Sequence, residues 1–558
     1  RRADQKWVED RIERGKQVFQ GDAHMHPHTP TSTHARTTTP ATRDHDDNDE
    51  FLFECQGGLV CGAGAQAPLH LWAINLSLPA VRTMGQLQAQ QLQQAMRQHG
   101  AVPRPIRAHQ RLWDQWGISS AVGTSVMHAP PRLHVAFISS DLLRDHPVGN
   151  IMSHILPLHD LSRMQITLYI VHEHQQHFAS QAENKHVLGD VRIVMLGRGP
   201  HVSSLYHPQE SEEAAELVNS AGVCILVDLV GYTSDHRQDV LALRPAPLQM
   251  SYHGYMGTSG ADYIDYYLAD KVIAPPEHAS FFSEKLVYMP ECFLGPSHRA
   301  AHQLWGWSGG SRNDFDGRGE DDISIRRVAN GLPPSGTVLC NFNQHFKIDP
   351  HTFALWQAAV KAVNGTLWML RGTAVSERNL ERQFYGSTRG AGGKRRGGSL
   401  LWAERAPLKD HLRRAALCDV ALDTFDYNMG ATGADTLYAA VPVAHVPSNK
   451  AVGRMMTAML TALRMPELIT RNADELLILF SVLTGPNGTD KLLALRTKLL
   501  RRIVWTPLFD VRAWVNDFDQ SLRLMWDQYL DELGSQTSNK QVSNKALHIL
   551  TSRPRAIF

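Results

Sequence analysis

The chain has no run of about eighteen apolar residues, which is what a membrane-spanning helix requires, so no segment reads as a transmembrane helix. Cysteine is scarce. Six residues in 558, at positions 55, 61, 224, 292, 340 and 418, do not form the dense pattern of a disulfide framework. A reduced compartment, cytoplasmic and/or nuclear, is the expectation that follows. An excess of either charge is also lacking. The formal net charge of +1 leaves no electrostatic footprint for nucleic acid and no steering toward a membrane surface. The first residues, Arg1-Arg2, carry no signal-peptide pattern and no methionine, as expected of a piece of a longer protein.

What is present divides along the chain. Residues 1–65 are low in apolar content, and the stretch 24–50 is crowded with His, Thr, Pro and Asp, so this part reads as a solvated low-complexity segment. Residues 66–130 contain helical periodicity over 69–99, compatible with the last unit of a helical repeat array. From residue 131 the pattern becomes alternating. Leu133-His-Val-Ala-Phe-Ile-Ser-Ser-Asp141 is an apolar run that closes on polar residues, as a buried parallel strand does. Further strands are expected at 166–171, 224–229, 248–253 and 266–270, with helical patterns between several of them. Residues 296–334, rich in Gly, Ser, Asp and Arg, read as a linker. A second alternating block fills 335–535, with strands at 337–342, 366–370, 420–423 and 443–446. It carries a Gly/Arg-rich insertion at 386–399 and an amphipathic helix at 508–530, and a tail follows at 536–558. The predicted fold class is α/β, with two parallel-sheet domains facing a cleft and a C-terminal helix.

Ligands in such sheets bind at the carboxyl ends of strands. Cys340-Asn-Phe-Asn-Gln-His-Phe-Lys347 runs from a strand into Gln344 and Lys347, just before a helix expected to start at Pro350. Free N–H groups at that helix start suit an anion, although a lysine after a strand is also an ordinary solvated loop residue. Pro407 marks another helix start, and His411 and Arg414, three apart, share one helical face. Asn428-Met-Gly-Ala-Thr-Gly-Ala-Asp435 follows a third strand, and its small residues suit a diphosphate cradle at a helix N-terminus, with Asp435 positioned for ribose hydroxyls. In the first block, His146 follows the first strand and has the chemistry of a general base, one of 29 histidines of which most must be structural or solvated. Gly254-Tyr-Met-Gly-Thr-Ser-Gly260 permits close approach of backbone to a ligand, or simply a tight turn. His172 and His177 are five apart rather than four, so they do not form the helical zinc-protease pair.

Together these residues resemble the catalytic region of glycosyltransferase family 41, the protein O-GlcNAc transferases and their SPINDLY-type relatives. The matching segments, in the family's order, are Ser139-Ser-Asp141 with His146-Pro147, Ile225-Leu-Val-Asp-Leu-Val-Gly-Tyr-Thr233, and Leu243-Arg-Pro-Ala-Pro247. They continue through Gly254 to Gly260, Ser283 to Pro290, Cys340 to Pro350, Ala406-Pro407 with His411 to Arg414, Asp423-Thr424, and Asn428 through Asp435. The resemblance implies a GT-B fold of two Rossmann-like domains. It also implies inverting, metal-independent transfer of GlcNAc from UDP-GlcNAc to Ser/Thr hydroxyls of intracellular proteins, with no nucleic acid or membrane partner. Matched position by position, it places the nucleotide sugar at Gln344, Lys347, Ala406, Leu408, His411, Arg414, Gly430, Ala431, Thr432 and Asp435. His146 and Lys347 take the catalytic positions, and His201 is a looser second histidine.

The departures bear on the donor. Leu408 stands where the family has lysine, with Lys409 displaced by one, and Met429-Gly-Ala-Thr-Gly433 lacks the Gly-His-Thr-Thr-Gly histidine and one hydroxyl. Phe346 replaces a tyrosine and Asn150 a histidine. Two other functions compatible with the resemblance are SPINDLY-like O-fucosyl transfer from GDP-fucose, and a weakly catalytic homologue that serves as a binding scaffold.

Overall fold

The computed structural model describes residues 77–101, 132–143, 146–172, 191–197, 207–233, 235–301, 320–386, 398–485, 488–537 and 549–550. The low-complexity start, the Gly/Arg-rich insertion, His201 and most of the tail lie outside the described residues.

The first sheet is built from β1 (Leu133–Ser139), β2 (Met164–Ile170), β3 (Arg192–Met195), β4 (Ile225–Asp228), β5 (Leu248–Ser251), β6 (Tyr266–Asp270) and β7 (Lys285–Met289). They lie in the order β7-β6-β5-β4-β1-β2-β3, all parallel. β1 is buried along its whole length, which is why it reads as an unbroken apolar run rather than an alternating one. The second sheet comprises β8 (Val338–Asn341), β9 (Thr366–Leu370), β10 (Ser399–Ala403), β11 (Val420–Leu422) and β12 (Val443–Ala444), ordered β10-β9-β8-β11-β12 and again parallel. A short strand, β13 (Ile549–Leu550), pairs with β7 and extends the first sheet. The order in which successive strands are added reverses between β1 and β4 and between β8 and β11, and these switch points open crevices at the carboxyl ends. This is the expected α/β architecture of the GT-B type, with helices flanking two parallel sheets.

The carboxyl-terminal edges of the two sheets touch. His298, after β7, meets Asp435, after β11, and the Arg454 guanidinium, after β12, donates to the Val272 carbonyl, after β6. The stretch 296–334 is not only a connector. It forms the helices His298–Ala301 and Glu320–Ala329, and the latter buries Arg327 against the Leu417 carbonyl and the Asp419 carboxylate. Its polar composition hid this, because the apolar surface it lacks is replaced by hydrogen bonds.

Two helices fasten the ends. Leu78–Gln98 sets Gly85 on the turn at Ser259 and Gly260, where a Cβ on Gly85 would sit 2.6 Å from the Ser259 carbonyl oxygen. Val511–Thr537, starting three residues later than the amphipathic pattern suggests, returns from the second domain to cover the first. Its Trp514 stacks on Phe518 with centroids 5.0 Å apart and on Tyr252 at 5.5 Å, and donates its indole N–H to the Cys292 carbonyl. Asp519 lies 2.5 Å from the buried His159 ring. Among the described residues no helix is long and apolar enough to cross a membrane.

Because Trp514 is the indole at the centre of this stack, Trp514→Ala is expected to cost about 3–5 kcal/mol of stability. Chemical denaturation measures it; a loss below about 1 kcal/mol would mean that the helix does not clamp the first domain.

Candidate functional site

The crevice beside β8 is shaped by amides that join two loops. Asn341, ending β8, donates its side-chain N–H to the Leu422 carbonyl (2.7 Å), and its own side-chain oxygen accepts from the Asn343 backbone N–H (2.9 Å). Asn343 then reaches the Thr424 hydroxyl at 3.2 Å. The loops after β8 and β11 are thereby held side by side. Beyond them the chain makes one 3-10 turn, His345–Lys347, before Asp349 caps the helix Pro350–Ala362 by accepting from His351 and Thr352 N–H groups.

That turn delivers Lys347 into the crevice. Its ammonium lies 4.1 Å above the Tyr427 ring and 3.3 Å from the Asn428 carbonyl oxygen. Among the described residues it forms no ion pair. Burial pushes its pKa down to about 8, with the Asp423 carboxylate opposing that shift. Asp423 is committed elsewhere. One oxygen accepts from the Thr424 and Met429 N–H groups, and the other lies 2.9 Å from His445 Nδ1, both side chains being fully buried. His445 Nε2 in turn meets the Thr457 hydroxyl at 2.7 Å. The result is a cation held by a π face and a carbonyl dipole.

The helix Ala431–Tyr438 starts beside it, capped by Gly430. The N–H groups of its first turn have no acceptor within the helix, so half-buried Ala431 and Thr432 present them at the crevice. Asp435, one turn in, has one oxygen 2.7 Å from His298 Nε2. His411 and Arg414 do share a face, as expected: Arg414 Nε donates to His411 Nδ1 at 3.3 Å. The His411 ring packs edge-on against Phe342 at 5.0 Å and is buried, and burial lowers its pKa, so it is a neutral ring at pH 7. Leu408 opens the helix Leu408–Ala415 and packs on the core instead of offering a charge, and Lys409 is exposed. Ala406 is half-buried ahead of that helix, and Gln344 is exposed at the rim.

Across the cleft, His146 caps the helix Pro147–Ile155, its Nδ1 accepting the Val148 N–H at 3.3 Å. Its Nε2 lies 3.8 Å from Asp141. The structure thus gathers Lys347, His411, Arg414, Gly430, Ala431, Thr432 and Asp435 around the second sheet's crevice and sets His146 on the first sheet. Residue reading missed Tyr427, His298 and His445. Only Tyr427, flanked by Asp426 and Asn428 in the loop, gave a local hint.

Comparison with known proteins gives the same frame. The model of glycosyl transferase family 41 matches residues 121–304 and 318–518. An Arabidopsis thaliana protein described as a probable UDP-N-acetylglucosamine–peptide N-acetylglucosaminyltransferase, SEC, is 30% identical over 406 residues, covering 71% of this chain and 37% of its own length. A Caenorhabditis elegans UDP-N-acetylglucosamine–peptide N-acetylglucosaminyltransferase is 26% identical over 492 residues, covering 71% and 41%. The chain therefore spans about two fifths of the length of these curated relatives. The solved structure of a lysine-to-methionine variant of the Thermobaculum terrenum O-GlcNAc transferase aligns with a TM-score of 0.58 at 22% identity, covering 82% of this chain and 85% of that one.

Desolvation penalises the charged lysine below pH 8, and the penalty fades as pH rises from about 8 toward its unfolded value of 10.5. Lys347→Met removes it. Against the variant, the unliganded protein should therefore gain stability over that interval. Urea denaturation of both at several pH values checks this, and parallel curves would show that the ammonium is fully solvated.

Proposed function

The chain belongs to glycosyltransferase family 41, and on that premise we propose that it transfers GlcNAc from UDP-GlcNAc to Ser and Thr hydroxyls of cytoplasmic or nuclear proteins, with inversion and without a metal. The observation that carries this reading is Lys347, a desolvated cation held over Tyr427 and beside the helix that starts at Ala431. One further negative charge develops on the β-phosphate of a leaving nucleoside diphosphate, and preorganised positive groups act most strongly where water is excluded. Lys347 meets that charge directly, and the Ala431 and Thr432 N–H groups replace contacts that the missing histidine and hydroxyl would make.

The rest of the crevice fits a nucleoside. The neutral His411 ring offers a face to a base, and Arg414 beside it keeps the ring oriented. Asp435 retains one oxygen for a ribose hydroxyl while His298 holds the other. The names of the relatives, which specify UDP-N-acetylglucosamine, support the donor choice.

Purified protein should melt at a higher temperature with UDP than with GDP, by an amount that grows with the logarithm of ligand concentration. Lys347→Ala should abolish the shift, and UDP-GlcNAc should label a Ser/Thr peptide. A GDP-selective shift would move the reading to fucosyl transfer. No shift with either nucleotide, in folded protein, would leave a scaffold.

A further inference from the structure

His146 is the histidine that sequence reasoning places as general base, yet its geometry argues against that role. A neutral imidazole has one lone pair, and the cap of the helix Pro147–Ile155 uses it: Nδ1 accepts the Val148 N–H. The ring proton therefore sits on Nε2, which lies 3.8 Å from an Asp141 oxygen. A protonated Nε2 donates and does not accept.

Asp141 ends the segment after β1, at the switch point of the first sheet, with its side chain 20% exposed. Among the described residues, the groups that face it come from three loops. His146 follows β1, His172 follows β2, and Asp228 and Asp235 follow β4. Asp228 is fully buried and engaged, its oxygens accepting from Val230, Gly231 and Gln238, so it has no oxygen open to an acceptor. Asp235 is 3.3 Å from His172 Nε2. His253, after β5, faces His146 and is pushed down to about 4 by burial, so it stays neutral. Asp141 thus keeps an oxygen open to the cleft at the switch point, with the His146 ring 3.8 Å away, while Asp235, 56% exposed, is the more solvated carboxylate of the group.

We propose that Asp141 is the base that takes the acceptor's proton, and that His146 is a positioning residue whose Nε2 edge faces it from 3.8 Å. The proposal rests on the transferase reading above. In the step, the acceptor O–H proton passes to an Asp141 oxygen as the hydroxyl oxygen bonds to the anomeric carbon. The bond from that carbon to the β-phosphate oxygen breaks, and its electron pair leaves on the nucleoside diphosphate, where Lys347 lies. Burial raises the Asp141 pKa, Asp235 adding to that and the two histidines opposing it, which brings the carboxyl toward the range useful for base catalysis.

The test compares transfer rates, pH profiles and UDP melting shifts in Asp141→Asn and His146→Asn, the latter chosen because Asn preserves an N-cap. Asp141→Asn is expected to lower kcat by about 10²- to 10⁴-fold and to remove the rise of rate with pH, while the UDP shift persists. His146→Asn should lower kcat by less than about tenfold and move that rise to higher pH, since a group favouring the carboxylate is gone. Formate should restore part of the rate in Asp141→Ala and none in His146→Ala. An Asp141→Asn enzyme of near-normal rate, with His146→Asn inactive, overturns the assignment while leaving the transferase reading intact. A wild-type chain that binds UDP but transfers nothing overturns both.

Discussion

The arrangement around Lys347 depends on a cation that is partly removed from water without a carboxylate to balance it. Such a group is costly to hold, and here the cost is offset by a π face, a carbonyl dipole and the more distant Asp423. The site is built to be completed by an anion. Everything that shapes the crevice serves that condition. Two asparagines tie the loops after β8 and β11 together, and Asp423 is held by the Thr424 and Met429 N–H groups with its other oxygen against the His445 ring. A direct Lys347–Asp423 pair would neutralise the site before any ligand arrived.

The same reasoning explains why two domains are needed. Asp435 is held by His298, a residue of the segment that leaves the first sheet, so this carboxylate is oriented from across the cleft. The helix Val511–Thr537 returns to the first domain and buries its Trp514 and Phe518 there, fixing the distance over which such contacts form. Lys347 comes from one sheet, and Asp141 and His146 come from the other.

Much of this was readable in the residues, for identifiable reasons. β6 and β9 occupy the residues expected of them, because buried parallel strands are continuous apolar runs bounded by polar turns. β3 was missed because Arg192–Met195 is a short edge strand, not fully buried along its length, and β10 because its Ser399 adjoins the Gly/Arg-rich run. Lys347, His411 and Arg414 were found because local spacing places them at strand ends and on one helix face. His298 was not, since its partner is 137 residues away and no local pattern encodes that contact. The residue type alone suggested His146 as a base; the structure adds that its Nδ1 caps the helix Pro147–Ile155 and that its Nε2 lies 3.8 Å from Asp141.

The central claim is that Lys347 is the ionisable group that an incoming diphosphate completes. Calorimetric binding of UDP at pH 8, in two buffers of different ionisation enthalpy, measures it as proton uptake. With its pKa lowered to about 8, Lys347 is half-protonated at that pH, and ion pairing should draw in about half a proton per UDP bound. Lys347→Met should show no such uptake. Binding without proton uptake, or uptake unchanged in the variant, would contradict the account.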